Sequence, residues 1–113
     1  MKTTPMKRVT IVGDNALVHS IVKEIHDLGA TGYTYTVVHG EGARGSRPSH
    51  WEGPNGKIEV VATSELAQRI LEHIAQTYFE HYGVIAFLDD VEVLRGDKFG
   101  AEANSGFSQK KGQ

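Results

Sequence analysis

The sequence predicts an α+β fold of βαββαβ order, the ferredoxin-like plan, in which one antiparallel sheet carries both helices on a single face. Three observations lead there. The strand-helix-strand grammar occurs twice along the chain, each helix shows one apolar stripe at three- and four-residue steps, and a long polar segment separates the two halves. With 113 residues there is room for one domain, so a site larger than a shallow cleft needs a second copy to complete it.

The first strand is Arg8 to Val12 (RVTIV), closed by Gly13, and Asp14 or Asn15 can cap the helix that follows. Leu17, Val18, Ile21, Val22, Ile25 and Leu28 form the stripe of that helix, and Gly29 supplies its left-handed stop. Tyr33 to Val38 (YTYTVV) is aromatic and β-branched, which suits a pleated strand. The second unit begins with the strand KIEVVA from Lys57, after which Thr63 or Ser64 can cap a helix. Its stripe runs through Leu66, Ala67, Ile70, Leu71, Ile74, Ala75, Tyr78 and Phe79, with Gly83 expected to stop it. Val84 to Leu88 and Val91 to Leu94 are further strand, with a bend or bulge expected near Asp89 and Asp90. Residues 1–100 thus form the folded domain, and 101–113 is expected to be a mobile tail.

Composition narrows the class. Hydrophobic residues make up 39% and charged residues 23%, and no apolar run approaches the roughly 20 residues of a membrane-spanning helix. The N-terminal stretch has no apolar region of the secretory type, so a cytoplasmic location is expected. A net charge of −2 provides no global attraction to nucleic acid. Zero cysteines exclude disulfides, thiolate metal sites and thiol catalysis.

The chemistry-bearing segment is His39 to Gly56, HGEGARGSRPSHWEGPNG, with five glycines and two prolines. Loops of this length inside a compact domain are uncommon and tend to be functional or disordered. Gly40, Gly42 and Gly45 let the backbone take positive φ and bring N–H groups close to a ligand, while Arg44 and Arg47 carry planar charged forks suited to phosphate. Trp51 is either an exposed anchor for a partner or a ring folded back onto the domain. His19 and His26 can share a helix face without a third metal ligand placed beside them, and His73 and His81 read as solvent-facing. Asp89 and Asp90 are the one adjacent carboxylate pair, but neighbouring strand residues point to opposite faces, so they do not make an acid–base couple.

The run GATGYTYTVVHGEGARGSR resembles the second strand and T-loop of the PII superfamily, and its GxGARxxR pattern is similar to GxGSRxxR in the carbon-regulating, SbtB-type branch. The likeness continues through KIEVVATSE, YFEHYG and VEVLRGDKFG, over roughly residues 7 to 100, and extends to the carboxysome-associated PII-like proteins. It implies a homotrimer with sheets turned inward and a nucleotide in each cleft between neighbours. By motif, Thr34 and Val61 stand beside the adenine, Gly40 and Gly42 at the base of the T-loop, and Arg44, Arg47 and Arg95 near phosphate. Gly83, Val84 and Ile85 stand where the B-loop meets the nucleotide. The chain departs from nitrogen-type PII proteins at the B-loop lysine and the T-loop glutamine, where Val84 and Ala43 stand, which argues against sensing 2-oxoglutarate. Gly100 and Ser105 replace the cysteines that bound the tail loop of SbtB-type chains.

The resemblance therefore implies a non-enzymatic regulator that binds an adenine nucleotide, ADP or AMP first and ATP or cyclic AMP as alternatives, together with bicarbonate. Its implied partner is a membrane bicarbonate transporter or another component of inorganic carbon uptake or carboxysome-linked metabolism. The alternatives are a PII-like sensor serving a different transporter and a small ferredoxin-like enzyme, although the sequence offers no catalytic pair for the latter.

Overall fold

The computed structural model describes residues 1–40 and 54–95. Gly42, Arg44, Arg47, His50, Trp51 and the tail from residue 96 lie outside the described residues. Strand β1 (Thr4–Asp14) leads through a 3₁₀ turn (Asn15–Leu17) into helix α1 (Val18–Leu28), followed by β2 (Thr34–Val38), β3 (Asn55–Ala62), helix α2 (Ser64–Tyr78) and β4 (Ile85–Val93). The sheet order is β2-β3-β1-β4, and all three pairings are antiparallel. This is the ferredoxin-like plan that the repeated grammar predicts.

Local signals act as their chemistry requires. Asp14, not Asn15, caps the first turn, its carboxylate accepting the Ala16 N–H at 2.7 Å. Thr63 caps α2 by accepting the Leu66 N–H at 3.3 Å. Gly29 ends α1 at φ 123°, a backbone state that an L side chain rarely adopts.

The core lies between the helices and one face of the sheet. Along β3 every second residue is buried, Gly56, Ile58, Val60 and Ala62, and these meet Val9 and Ile11 of β1 under Ile21, Ile25, Ile70 and Ile74. A polar clamp joins the helices at their outer side. The Glu24 carboxylate on α1 takes hydrogen bonds from the Tyr78 hydroxyl, at 2.8 and 3.0 Å, and lies 2.7 Å from His73 Nε2. Burial, and then the bond and charge of Glu24, push the Tyr78 phenol well above its ordinary range.

Three expectations are corrected here. No bulge interrupts β4, whose register against β1 is continuous from Thr4↔Val93 to Val12↔Ile85, because Lys7 and Arg8 offer partners to Asp90 and Asp89 on opposite faces of a regular ladder. Gly83 does not stop α2, which ends at Tyr78, and Gly29 alone among the described glycines has positive φ. His73 is half-buried against Glu24 and not solvent-facing, because its turn of α2 faces α1.

Candidate functional site

The site residues inferred from sequence fall at different ends of the sheet. At one end, the close of β2 and the start of β3 bracket the segment 39–56, with Val38 opposite Asn55 and Val37 opposite Gly56. Gly40 follows β2 by two residues and has open space where a Cβ would stand. Its φ is not positive, so the expected conformational need for glycine is not met there, and what remains is room for close approach. Gly83, Val84 and Ile85 reach the same end through the pair Val12↔Ile85. The Val84 side chain is buried, which leaves its backbone as the part a ligand can meet.

Packing holds this end in place through residues the sequence reading did not select. A Cβ on Gly13 would stand 2.9 Å from Val84 Cγ2, so glycine there lets the approach to β4 lie against β1. The Tyr35 hydroxyl donates to Asn15 Oδ1, and the Asn15 N–H donates to the Pro54 carbonyl at 3.0 Å. These bonds tie Pro54 and β2 to the 3₁₀ turn that leads into α1. Gly56 lies beneath them, where a Cβ would collide with Val18 Cγ2. Asn15 offered a signal as a candidate cap; Tyr35 and Gly56 offered none, since their role depends on three elements meeting.

Thr34 opens β2, opposite Glu59, and Val61 lies opposite Arg8. Arg95 is exposed two residues beyond the far end of β4. Ile85 and Val93 are eight residues apart in a regular strand, a span of about 27 Å. Arg95 and the segment Gly83–Ile85 of one chain therefore cannot close on the same small ligand. The structure brings Gly40 and Gly83–Ile85 to one end of the sheet, on its opposite edge strands β2 and β4, and places Arg95 at the other end.

Between these ends, the sheet face opposite the helices is charged and apolar at once. Arg8 binds Asp89 with two hydrogen bonds, Nε at 3.2 Å and a terminal nitrogen at 2.8 Å, and Glu59 lies 4.0 Å from both Arg8 and Lys57. The Arg8 hydrogen bond, against a smaller desolvation effect, holds the Asp89 carboxyl below the usual carboxylate range. Strand alternation puts Ile85 and Phe87 on the same face, 56% and 51% exposed.

A cleft of about 410 Å³ opens just before Thr34, between α1 and the segment entering β2. His19 and His26 do share a face, as their spacing predicts, and both line this cleft with Lys23 and Tyr33. The Tyr33 ring is half-exposed and adjoins Thr34, a position that a pattern of motif glycines and arginines does not reveal.

Comparison of this geometry with known proteins defines the class. The sequence model of the nitrogen regulatory protein P-II family matches residues 6–98, and the chain belongs to that family. It is thus a regulatory protein of PII-like type. Among solved structures it is similar to a PII-like signalling protein of Thermus thermophilus, at 45% identity over 88% of this chain and 99% of that one, with a TM-score of 0.76. It is also similar to CPII of Thiomonas intermedia in two ligand-bound forms. One holds ADP, AMP and acetate, at 26% identity over 88% of this chain and 98% of that one, with a TM-score of 0.75. The other holds ADP and bicarbonate, at 26% identity over 87% and 97%, again with a TM-score of 0.75.

Proposed function

We propose that the protein is a homotrimeric, non-enzymatic sensor of adenine nucleotides, ADP or AMP foremost, with bicarbonate as a second ligand. The observation that carries this reading is the division of the site. Arg95 is suited to phosphate but stands too far from Gly40 and Gly83–Ile85 to share a ligand with them in one chain, so a neighbouring copy must supply it. A cleft between copies then gathers Gly40, Gly83, Val84 and Ile85 from one subunit and Arg95 from the next. Thr34 and Val61 stand beside the base, and Gly42, Arg44 and Arg47 complete the loop side of the phosphates. Nucleotide and bicarbonate in the two CPII structures support the same ligands here.

Occupancy would set the conformation of residues 39–56 and so control a partner in the cytoplasm, a membrane bicarbonate transporter or another component of inorganic carbon uptake. Among the described residues no helix is long and apolar enough to cross a membrane, so contact with a transporter would be made from its surface.

Calorimetric titration with AMP, ADP, ATP and cyclic AMP, with and without bicarbonate at fixed pH and ionic strength, tests the reading. ADP or AMP should bind much more tightly than adenosine. If bicarbonate couples to nucleotide, each tightens the other's binding by the same factor, because linkage is reciprocal. Equal affinity for adenosine and ADP would remove the phosphate role of the arginines.

A further inference from the structure

The cleft at the entry to β2 lies on the opposite side of the sheet from the residues expected beside the base. Thr34 stands opposite Glu59 on the open face, whereas Tyr35 stands opposite the buried Ile58 on the helix face. Tyr33, one residue before Thr34, turns to the helix side and lines the cleft with α1. A molecule held there would lie across the sheet from Thr34. The volume of about 410 Å³ is that of a small-molecule site, with room for one two-ring compound.

The lining is apolar at the floor and basic at the rim. Ile25 and Ala30 are buried and Val22 is partly so, which makes a hydrocarbon floor, and the half-exposed Tyr33 ring supplies an aromatic wall. His19, Lys23 and His26 recur at helical spacing along α1, so one helix face brings all three to the cleft. Among the described residues no carboxylate lines it. The acids of α1 are engaged elsewhere. Glu24 holds Tyr78 and His73 of α2, and Asp27 meets Lys23 at 3.5 Å and His26 at 3.8 Å through exposed, weak contacts that a ligand can replace. Carbonyls at the end of α1, which would repel an anion, are already taken, Ile25 by Ala30, His26 by Gly29 and Leu28 by Arg69.

We propose that this cleft is a second ligand site, taking a small organic acid whose flat apolar body carries one anionic group. The body would lie on Val22, Ile25 and Ala30 against the Tyr33 ring, and the anion would meet Lys23 at the rim. Residues 96–113 do not have this chemistry, since Lys98, Lys110 and Lys111 outnumber Asp97 and Glu102 and would add positive charge to a basic rim. All the lining residues belong to one chain, so the site stands whether or not copies assemble.

Amide NMR of the full-length protein titrated with 2-naphthoate tests this, with naphthalene-2-carboxamide as the neutral probe of the same shape and circular dichroism to establish that each variant is folded. Shifts at Val22, His26, Gly32 and Tyr33 should saturate, and the acid should bind roughly three- to tenfold more tightly than the carboxamide. Lys23→Gln should remove that preference while leaving carboxamide affinity within about twofold, and Tyr33→Ala should weaken both probes by about fivefold. The cleft shifts should persist in saturating ADP. Shifts that saturate at Ile85 and Phe87 instead, no saturable binding, or an acid no tighter than its carboxamide overturns the site. Competitive displacement of the naphthoate by ADP overturns it as well, because the cleft would then be part of the nucleotide site.

Discussion

The two faces of the sheet use the same strands to different ends. On the helix side Val9, Ile11, Ile58 and Val60 are closed off completely by α1 and α2, while on the other side Ile85 and Phe87 stand beside an ionic ladder with more than half their surface open. Side chains alternate along a strand, so each strand contributes to both faces, and two helices suffice to cover only one. The helix face is a finished core that folds the chain. On the trimeric reading proposed above the open face is finished by association, and the proposed binding site inherits the same division, since Ile85 and Arg95 lie at opposite ends of β4.

The sharpest way to break this contrast is a matched pair of truncations. Ile70→Ala on the closed side should cost about 2–5 kcal/mol of folding stability, because Ile70 is fully buried and its loss leaves a cavity. Phe87→Ala should leave the stability of the isolated chain within about 1 kcal/mol while weakening assembly. Chemical denaturation at low and high protein concentration separates the two: the Ile70 deficit should persist at both, and the Phe87 deficit should appear only where wild type is assembled.

Arg95→Ala tests whether the binding site is divided as the sheet is. Nucleotide affinity should fall by about 1.5–3 kcal/mol, read by calorimetry. A variant blocked at the other end, Gly40→Asp, where open space admits the side chain, should also bind poorly, and mixing the two after co-refolding should recover part of the binding, since a mixed assembly contains some sites with both ends intact. No recovery in mixtures shown to exchange subunits would place the whole site within one chain.

Alkaline pH distinguishes the helix layer from the sheet. Tyr78 keeps its proton more tightly when folded than the ordinary phenol value of 10.0. Its stabilising contribution is therefore complete below that value and is lost as pH rises through it toward the raised folded-state value. Tyr78→Phe should flatten the fall in melting temperature above pH 10 and cost about 1 kcal/mol at neutral pH through the lost bond to Glu24. An alkaline profile unchanged by the substitution would assign the transition to other groups. The smallest effect expected is that of Thr63→Ala, about 1 kcal/mol from the lost cap of α2, read by thermal melting with nucleotide affinity unchanged.

Where the deciding interaction is local, the order of amino acids was enough. The stripes of α1 and α2, the Thr63 cap and the Gly29 stop depend on residues within one or two turns of one another, so periodicity and cap chemistry reveal them. The motif GEGARGSR and the strand before it were enough to indicate the PII-like family, because glycines and arginines at fixed spacing record a loop's chemistry directly. Features that join elements distant in the chain became legible in the folded molecule alone. The bulge expected at Asp89 and Asp90 is absent because Lys7 and Arg8, more than eighty positions earlier, pair with them from the adjacent strand. His73 turns inward because Glu24 waits on the other helix, and Gly13 and Gly56 are held to glycine by side chains that meet them only in the folded sheet. The separation of Arg95 from Gly83–Ile85 belongs to the same class: sequence places them ten to twelve residues apart, but only an unbroken β4 converts that interval into a distance no single ligand spans.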